Sequence, residues 1–233
     1  MIISGDIYEI FEYEKPIILG STNNSNGRSI SASDEEKIRH RTNTMNKAKT
    51  TLRRLVNANK DVWGESPKFM TLTFAENVQD TKTANYEFKK FRQRLEYKFS
   101  LKLKYIVVVE FQKRGAIHYH AIFFNLPYIK ATELAKIWRN GFIKINKIDK
   151  VDNVGAYVSK YMTKTDYDNL KIDKLVGLKS YFTSRGLVNP VIITEKKEIE
   201  QLASALSPRE VYTSEFENEY LGQIKYTQFN LKR

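Results

Sequence analysis

The sequence predicts an α+β protein in which helices pack on one face of an antiparallel sheet. Two observations support this class. Segments with helical and with strand periodicity alternate along the chain, and the stretch from Val107 to Phe124 has the pattern of two apolar strands joined by a short turn that contains Gly115. The chain has 233 residues, of which 41% are hydrophobic and 12% aromatic, so it is long and apolar enough to bury a core.

Three segments are predicted along the chain. Residues 1–33 form an N-terminal segment with a strand at Ile7 to Tyr13 and a polar linker, GSTNNSNGRSISAS. Residues 34–185 form the main domain. Residues 186–233 form a C-terminal extension with a helix from Lys196 to Leu206 and a pair of strands after it. We expect this extension to pack on the main domain.

Residues 34–60 are predicted to form a basic amphipathic helix. Ser33 is a candidate N-cap because Glu36 follows three residues later, as in a capping box. The apolar residues that recur at helical spacing are Ile38, Met45, Ala48, Leu52 and Leu55. From Lys37 to Lys60 every charged residue is basic, which favours a surface that contacts phosphates over an ordinary solvated face. The candidate nucleic-acid contacts on this helix are Arg39, Arg41, Arg53 and Arg54.

Helices and strands continue to alternate after the basic helix. Alternating side chains predict a strand over KFMTLTF, and a helix follows with Phe88, Phe91, Leu95 and Phe99 on one face. After the strand pair, ATELAKIWRNG predicts a short helix that we expect to end at Gly141. FIKINKID then predicts a strand, and NVGAYVSKYMTKT predicts a helix.

The overall charge indicates a polyanionic partner. A net charge of +12 and a pI of about 9.6 are typical of proteins that bind nucleic acid. The chain has no cysteine, so a bound metal would need His, Asp or Glu ligands. There is no phosphate-binding loop of a nucleotide-driven motor, no apolar run of bilayer length and no signal peptide, so we expect a cytoplasmic protein without a nucleotide cofactor.

The strand pair carries a candidate metal site. His118 and His120 lie two residues apart on a strand and therefore face the same side. A three-residue loop at 114–116 would pair Gln112 with His118 and Glu110 with His120, and cross-strand Cβ atoms lie roughly 5 Å apart. Two imidazoles and a carboxylate would then converge, which suits a catalytic divalent ion. A loop of even length would turn Glu110 to the other face, and the histidines would be ordinary sheet residues.

A second candidate group is a pair of tyrosines in AYVSKYMTK. Tyr157 and Tyr161 lie four residues apart on one helical face, and Lys160 and Lys164 each follow a tyrosine by three residues. Packing is the simpler explanation of this spacing. The chemical alternative is nucleophilic attack on a phosphodiester. A phenol with a pKa near 10 needs a metal that polarises the phosphate and a nearby ammonium group to become reactive at neutral pH.

Three segments resemble, in the same order along the chain, the motifs of HUH endonucleases. They are FMTLTF, EFQKRGAIHYHAIFF and YVSKY. They are most similar to those of rolling-circle replication initiators of bacterial plasmids and single-stranded DNA phages. His118 and His120 match the His-hydrophobic-His motif, and Glu110 matches the upstream acidic ligand. Tyr157 matches the Tyr-x-x-Lys signature, and Tyr161 matches the second tyrosine of the two-tyrosine variant. The segment SYFTSRGL also resembles a stretch found downstream in such initiators.

The resemblance implies a five-stranded antiparallel sheet of RRM-like or ferredoxin-like type within an HUH nuclease domain at 34–185. It also implies Mg²⁺ or Mn²⁺ held by Glu110, His118 and His120, and nicking of single-stranded or cruciform origin DNA in a bacterial host. The products would be a 5′-phosphotyrosine and a free 3′-OH, with strands rejoined at termination. Because the chain has no motor motif, a host helicase would unwind the DNA.

The expected roles follow from these matches. Tyr157 is the first nucleophile, Tyr161 acts at termination or is a spare, and Lys160 positions the phosphate or stabilises the phenolate. Gln112 is a candidate support for the metal ligands, and Lys113, Arg114 and Lys164 are further candidate DNA contacts. Two alternatives stay open. One is a non-catalytic, sheet-based nucleic-acid-binding module that stacks bases on exposed Tyr and Phe. The other is an HUH transposase or relaxase.

Overall fold

The computed structural model of the chain describes residues 1–16, 34–146, 148, 151–163 and 179–233. The chain divides into two compact units, a central unit of Thr44–Val188 and a terminal unit of Met1–Asn43 with Asn189–Arg233. The described residues form two five-stranded antiparallel sheets and five α-helices, so the predicted α+β class is confirmed. None of the helices in these residues is long and apolar enough to span a membrane.

The helices and strands that were predicted occur in the predicted order. The strands are β1 (Ile2–Ser4), β2 (Ile7–Tyr13), β3 (Lys68–Thr73), β4 (Tyr105–Phe111), β5 (Ile117–Phe123), β6 (Ile143–Asn146), β7 (Tyr181–Thr183), β8 (Val191–Ile192), β9 (Glu210–Asn218) and β10 (Gly222–Asn230). The α-helices are α1 (Asp34–Asn59), α2 (Thr81–Phe99), α3 (Ala131–Trp138), α4 (Val154–Ser159) and α5 (Lys196–Leu206). The predicted basic helix corresponds to α1, and the structure adds three short strands, β1, β7 and β8.

The central sheet has the strand order β6-β3-β5-β4-β7, with every neighbouring pair antiparallel. Helix α2 connects β3 to β4, and α3 connects β5 to β6. This βαββαβ connection with β3 and β5 at the centre is the ferredoxin-like arrangement, to which β7 adds an edge strand. The structure therefore confirms the predicted five-stranded antiparallel sheet.

Helices cover both faces of the central sheet. On one face α2 and α3 bury Phe88, Phe91 and Trp138 in a core that contains Tyr119. On the other face α1 and α4 bury a second core, whose members include Leu52, Val56, Val154 and Val158 with Phe69 of β3. The expectation of helices on one face is thus wrong, because the central strands are apolar on both sides and each side must be shielded from water.

The ends of two helices show how local chemistry sets the connections. Asp80 caps α2, since its carboxylate accepts hydrogen bonds from the N–H groups of Lys82 (3.3 Å) and Thr83 (2.8 Å). Helix α3 ends at Trp138 and not at Gly141 as expected, and its C-cap Arg139 adopts the left-handed conformation with φ of 68°. Gly141 serves a different purpose, because a Cβ there would lie 2.5 Å from the carbonyl oxygen of Thr73.

The terminal unit contains a sheet of order β8-β1-β2-β10-β9. Strand β2 from one end of the chain pairs with β10 from the other, with Phe11 opposite Tyr226. Its core includes Met1, Ile10, Leu206 and Phe229, and α5 packs against it. The strand Ile7–Tyr13 and the helix Lys196–Leu206 match the predicted segments. The pairing of the two chain ends in a second sheet was not predicted. The predicted limits of the main domain (34–185) and of the C-terminal extension (186–233), and the packing of this extension on the main domain, stay predictions.

Candidate active site

The β4–β5 hairpin decides which side chains share a face. Glu110 lies opposite His118, and Val108 lies opposite His120. The N–H of Gln112 donates to the carbonyl of Ala116 (2.9 Å), so the loop is 113–115. The predicted loop of odd length is correct, but the predicted pairing of Gln112 with His118 is wrong by two residues. A three-residue loop places its left-handed residue last, and this is Gly115 with φ of 83°.

The imidazole of His120 is fixed at both nitrogens. A change of two residues in the strand register leaves each side chain on the same face of the sheet, so Glu110 still shares a face with His120. The Oε2 atom of Glu110 contacts Nε2 of His120. On the other side, His120 Nδ1 lies 3.1 Å from Thr71 Oγ1 of β3. The His120 side chain is 5% exposed and that of Glu110 16% exposed. These contacts leave the ring little freedom to rotate.

His118 lies beside this pair in a different environment. Its Nε2 is buried and has no hydrogen-bond partner in the part of the chain that the structure describes. Burial lowers the pKa of His118, although the nearby charge of Glu110 acts in the opposite direction. The lowered pKa favours the neutral imidazole of His118, which is the form that binds metal ions.

Both tyrosines reach this face of the sheet. The Tyr161 ring is stacked on the His120 ring, with 4.0 Å between the centroids and 27° between the planes. The hydroxyl groups of Tyr157 and Tyr161 lie 3.3 Å apart. Phe69 supports both rings, at centroid distances of 5.5 Å and 5.2 Å. The predicted pair of phenols is thus assembled next to the histidines, although α4 ends at Ser159 and Tyr161 lies in a 3₁₀ turn.

The two phenols differ in their surroundings. Burial, together with the hydrogen bond between the Tyr161 and Tyr157 hydroxyl groups and the charge of Glu110, raises the pKa of Tyr161 above its ordinary value. Lys160 Nζ lies 3.8 Å from the centroid of the Tyr157 ring and 5.4 Å from that of Tyr161. The ammonium group therefore lies over the face of Tyr157, as in a cation–π contact.

Helix α1 holds the tyrosine helix in place through Asn57, which the sequence analysis missed. Asn57 is buried, its Nδ2 donates to Asn153 Oδ1 (2.9 Å), and its Oδ1 accepts from the N–H of Gly155 (2.7 Å). Asn153 is the N-cap of α4 and accepts from the N–H of Ala156 (2.9 Å). A Cβ on Gly155 would lie 2.1 Å from the carbonyl oxygen of Arg53. No local pattern reveals these contacts, because they join residues 96 and 98 positions apart.

The remaining predicted site residues are dispersed. The Gln112 side chain accepts from Arg114 Nε (3.2 Å) instead of contacting a histidine. Lys113 and Arg114 are exposed at the tip of the hairpin. On α1, Arg39 is exposed, whereas Arg41, Arg53 and Arg54 are half-buried. Lys164 lies outside the described residues. A role in DNA binding stays a prediction for each of these cations.

Glu110, His118 and His120 offer the candidate donor atoms for a divalent metal. Among the described residues, no group of three or more His, Asp or Glu side chains is already arranged as a metal site. Glu110 and His120 contact each other directly, and the buried Nε2 of His118 lies on the same face without a partner in the described chain. A carboxylate suits Mg²⁺ or Mn²⁺, and neutral imidazoles are common metal ligands, so the donor types fit a divalent ion, whose binding here stays a prediction.

Comparison with known proteins gives one family. Residues 67–166 match the model of a family described as replication-associated protein, of the ORF2/gene 2 protein type. The matched segment contains Glu110, both histidines and both tyrosines of the candidate site. Searches of curated proteins and of solved structures found no match. The family match supports a role related to replication.

Proposed function

We propose that this protein initiates rolling-circle DNA replication by nicking single-stranded origin DNA with a tyrosine and later rejoining the strands. One observation carries the proposal. The stacked rings of Tyr161 and His120, the contact of His120 with Glu110, and the 3.3 Å between the two phenol oxygens form one cluster on the sheet. The match to a replication-associated family agrees with this chemistry.

A divalent ion, Mg²⁺ or Mn²⁺, is the proposed cofactor. Glu110, His118 and His120 would hold it, and when bound it would polarise the scissile phosphate as a Lewis acid. Thr71 fixes the orientation of His120 from behind, at 3.1 Å from its Nδ1. Burial keeps His118 neutral by lowering its pKa, so its nitrogen is available as a ligand.

The tyrosines supply the nucleophiles. The Tyr157 oxygen releases its proton to solvent and attacks the phosphorus, the P–O3′ bond breaks, and the O3′ atom takes up a proton from solvent to leave a free 3′-OH and a 5′-phosphotyrosine. Rejoining is the reverse attack by a 3′-OH. Lys160, whose Nζ lies 3.8 Å from the centroid of the Tyr157 ring, would position the scissile phosphate next to that residue. Tyr161 keeps its proton because its pKa is raised, and we assign it to the second transfer at termination.

The partners belong to the same proposal. We infer that the protein acts in the cytoplasm of a bacterial host, where a host helicase unwinds the DNA. A transposase or relaxase would use the same chemistry on a different DNA substrate. A non-catalytic binding module would bind DNA in the presence of EDTA and would never form a covalent product.

The decisive experiment is a covalent-adduct assay. The protein is incubated with Mn²⁺ and a pool of labelled single-stranded oligonucleotides, and labelled protein is detected on a denaturing gel. We expect an adduct that EDTA prevents, that is lost in Tyr157→Phe and that mass spectrometry locates on Tyr157. Tyr128→Phe, at an exposed tyrosine outside the cluster, serves as the control. An adduct that persists in the Tyr157→Phe, Tyr161→Phe double variant would refute the proposal.

A further inference from the structure

A cavity of about 380 Å³ lies between α2 and the central sheet, near β7. It opens on the face of the sheet opposite the candidate active site. Val109 and Phe111 of β4 line the cavity, whereas Glu110 between them faces His120. Nothing in the proposed nicking reaction uses this cavity.

The walls of the cavity are largely aromatic. Phe88 lies at their centre and meets the rings of Tyr105 and Phe182 edge-on, at centroid distances of 5.5 Å and 5.3 Å. Phe88 is buried, whereas Tyr105, Phe111 and Phe182 are only partly buried. Partly exposed rings around a small cavity offer flat apolar surfaces on which a nucleobase stacks.

The polar groups of the cavity are cationic or neutral. Lys89, Arg92 and Lys179 line it, and no carboxylate does so among the described residues. Arg92 also pairs with Glu96 at 2.8 Å, while Lys89 and Lys179 are exposed to solvent. Asn85, another lining residue, accepts a hydrogen bond from the Tyr119 hydroxyl (2.7 Å), and its amide group has two N–H donors for a base edge. The aromatic rings suit a planar base, and the exposed ammonium groups of Lys89 and Lys179 suit the phosphate that the base carries.

We propose that this cavity holds one nucleotide of the single-stranded DNA, with its base against the rings and its phosphate at Lys89 and Lys179. This inference rests on the proposed function only in taking DNA as the partner. Two strands connect the cavity to the opposite face. Strand β4 presents Glu110 on one face and Phe111 on the other, and β7 presents Tyr181 to the second core and Phe182 to the cavity.

Charge favours a DNA strand as the occupant. Residues 44–188 contain 28 Lys and Arg and 13 Asp and Glu, a net charge of +15. A free mononucleotide shares the same base and phosphate, and the experiment below distinguishes the two sources.

Binding is measured with the Tyr157→Phe, Tyr161→Phe variant in EDTA, so that no cleavage is needed. The affinity for a short fluorescent single-stranded oligonucleotide is followed by anisotropy. Adding Lys89→Glu and Lys179→Glu is expected to weaken binding at least tenfold more than adding Lys90→Glu and Lys130→Glu. The control pair has the same charge change at positions that do not line the cavity. Equal affinities of the two variants would overturn the inference.

A second measurement uses photocrosslinking with 5-iodouracil in the oligonucleotide. Mass spectrometry is expected to find the crosslink at Tyr105, Phe111 or Phe182, and Phe182→Leu, which keeps an apolar side chain but removes the ring, is expected to reduce it several-fold. Crosslinks confined to the opposite face would contradict the inference. So would saturation of the cavity by thymidine monophosphate that the oligonucleotide cannot displace. The adduct assay is independent, so nucleotide binding at the cavity can stand even if no phosphotyrosine forms.

Discussion

At the scale of single residues, His120 depends on neighbours from three different elements. Glu110 of β4 and Thr71 of β3 contact its two nitrogens, and the Tyr161 ring covers its face at 4.0 Å. Groups that support a metal-binding histidine fix its tautomer and orientation, and their loss typically costs roughly 10- to 100-fold in metal affinity or activity. Thr71 is such a group under the proposed function, although the sequence analysis assigned it no role.

Thr71→Val tests this support directly. Valine keeps the shape and β-branching of threonine but removes the hydroxyl group 3.1 Å from His120 Nδ1. We expect the rate of adduct formation to fall about tenfold, with a higher Mn²⁺ concentration needed for half-maximal rate. Thr73→Val, two residues further along the same face of β3, is the matched control. If both variants react like the wild type, Thr71 has no part in positioning His120.

At the scale of elements, α4 depends on α1. A helix of six residues is too short to be stable alone in water, so its position comes from its packing. Asn57 satisfies the N–H of Gly155 and binds the N-cap Asn153, while Gly155 allows the backbone of α1 near Arg53 to approach closely. The basic helix therefore determines where the tyrosine helix lies, within the central unit.

Asn57→Ala is expected to loosen this connection. The variant leaves the buried N–H of Gly155 without its acceptor, which should lower the free energy of unfolding by about 1–3 kcal/mol. Adduct formation should fall by more than the affinity for single-stranded DNA, because Tyr157 is displaced while the DNA-contacting surface is retained. Denaturant unfolding and the adduct assay measure the two effects. Asn46→Ala, at an exposed asparagine of α1, should change neither.

At the scale of the whole molecule, charge is divided unequally between the two units. The central unit carries +15, whereas the terminal unit has 11 Lys and Arg against 14 Asp and Glu, a net charge of −3. The total of +12 therefore understates how basic the unit with the candidate site is. Because phosphate contacts dominate the affinity of proteins for nucleic acid, we expect the central unit to provide most of the binding energy.

The salt dependence of DNA binding tests this division. Lys113→Ala and Arg114→Ala, at the exposed tip of the β4–β5 hairpin, should each reduce the slope of log affinity against log salt by about 1 if each side chain contacts a phosphate. The controls are Lys196→Ala and Lys197→Ala, which remove two exposed cations from α5 of the terminal unit. A change of slope with the α5 variants and none with the hairpin variants would assign DNA binding to the terminal unit instead.

The fold was predictable to the extent that it depends on local periodicity. The limits of β2 and α5 agree with the sequence analysis, and α1 ends one residue before its predicted end. The prediction that α3 ends at Gly141 was wrong. Glycine is favoured both at helix ends and where two backbone segments approach closely, and Gly141 has the second role. The second sheet was missed because β2 and β10 lie at opposite ends of the chain, and neither strand contains information about its partner.

For the candidate site, the sequence by itself determined which candidate residues share a face of the sheet. The alternation of strand residues put His118 and His120 on one face, and parity alone put Glu110 on that face even though its predicted partner was wrong by two residues. Only the tertiary structure decided which groups touch. Residues far apart in sequence meet in three interactions: Tyr161 stacks on His120, Thr71 contacts His120, and Asn57 forms a hydrogen bond with Asn153. Such contacts arise from the packing of α1 and α4 on the sheet, and the periodicity of a single segment does not encode them.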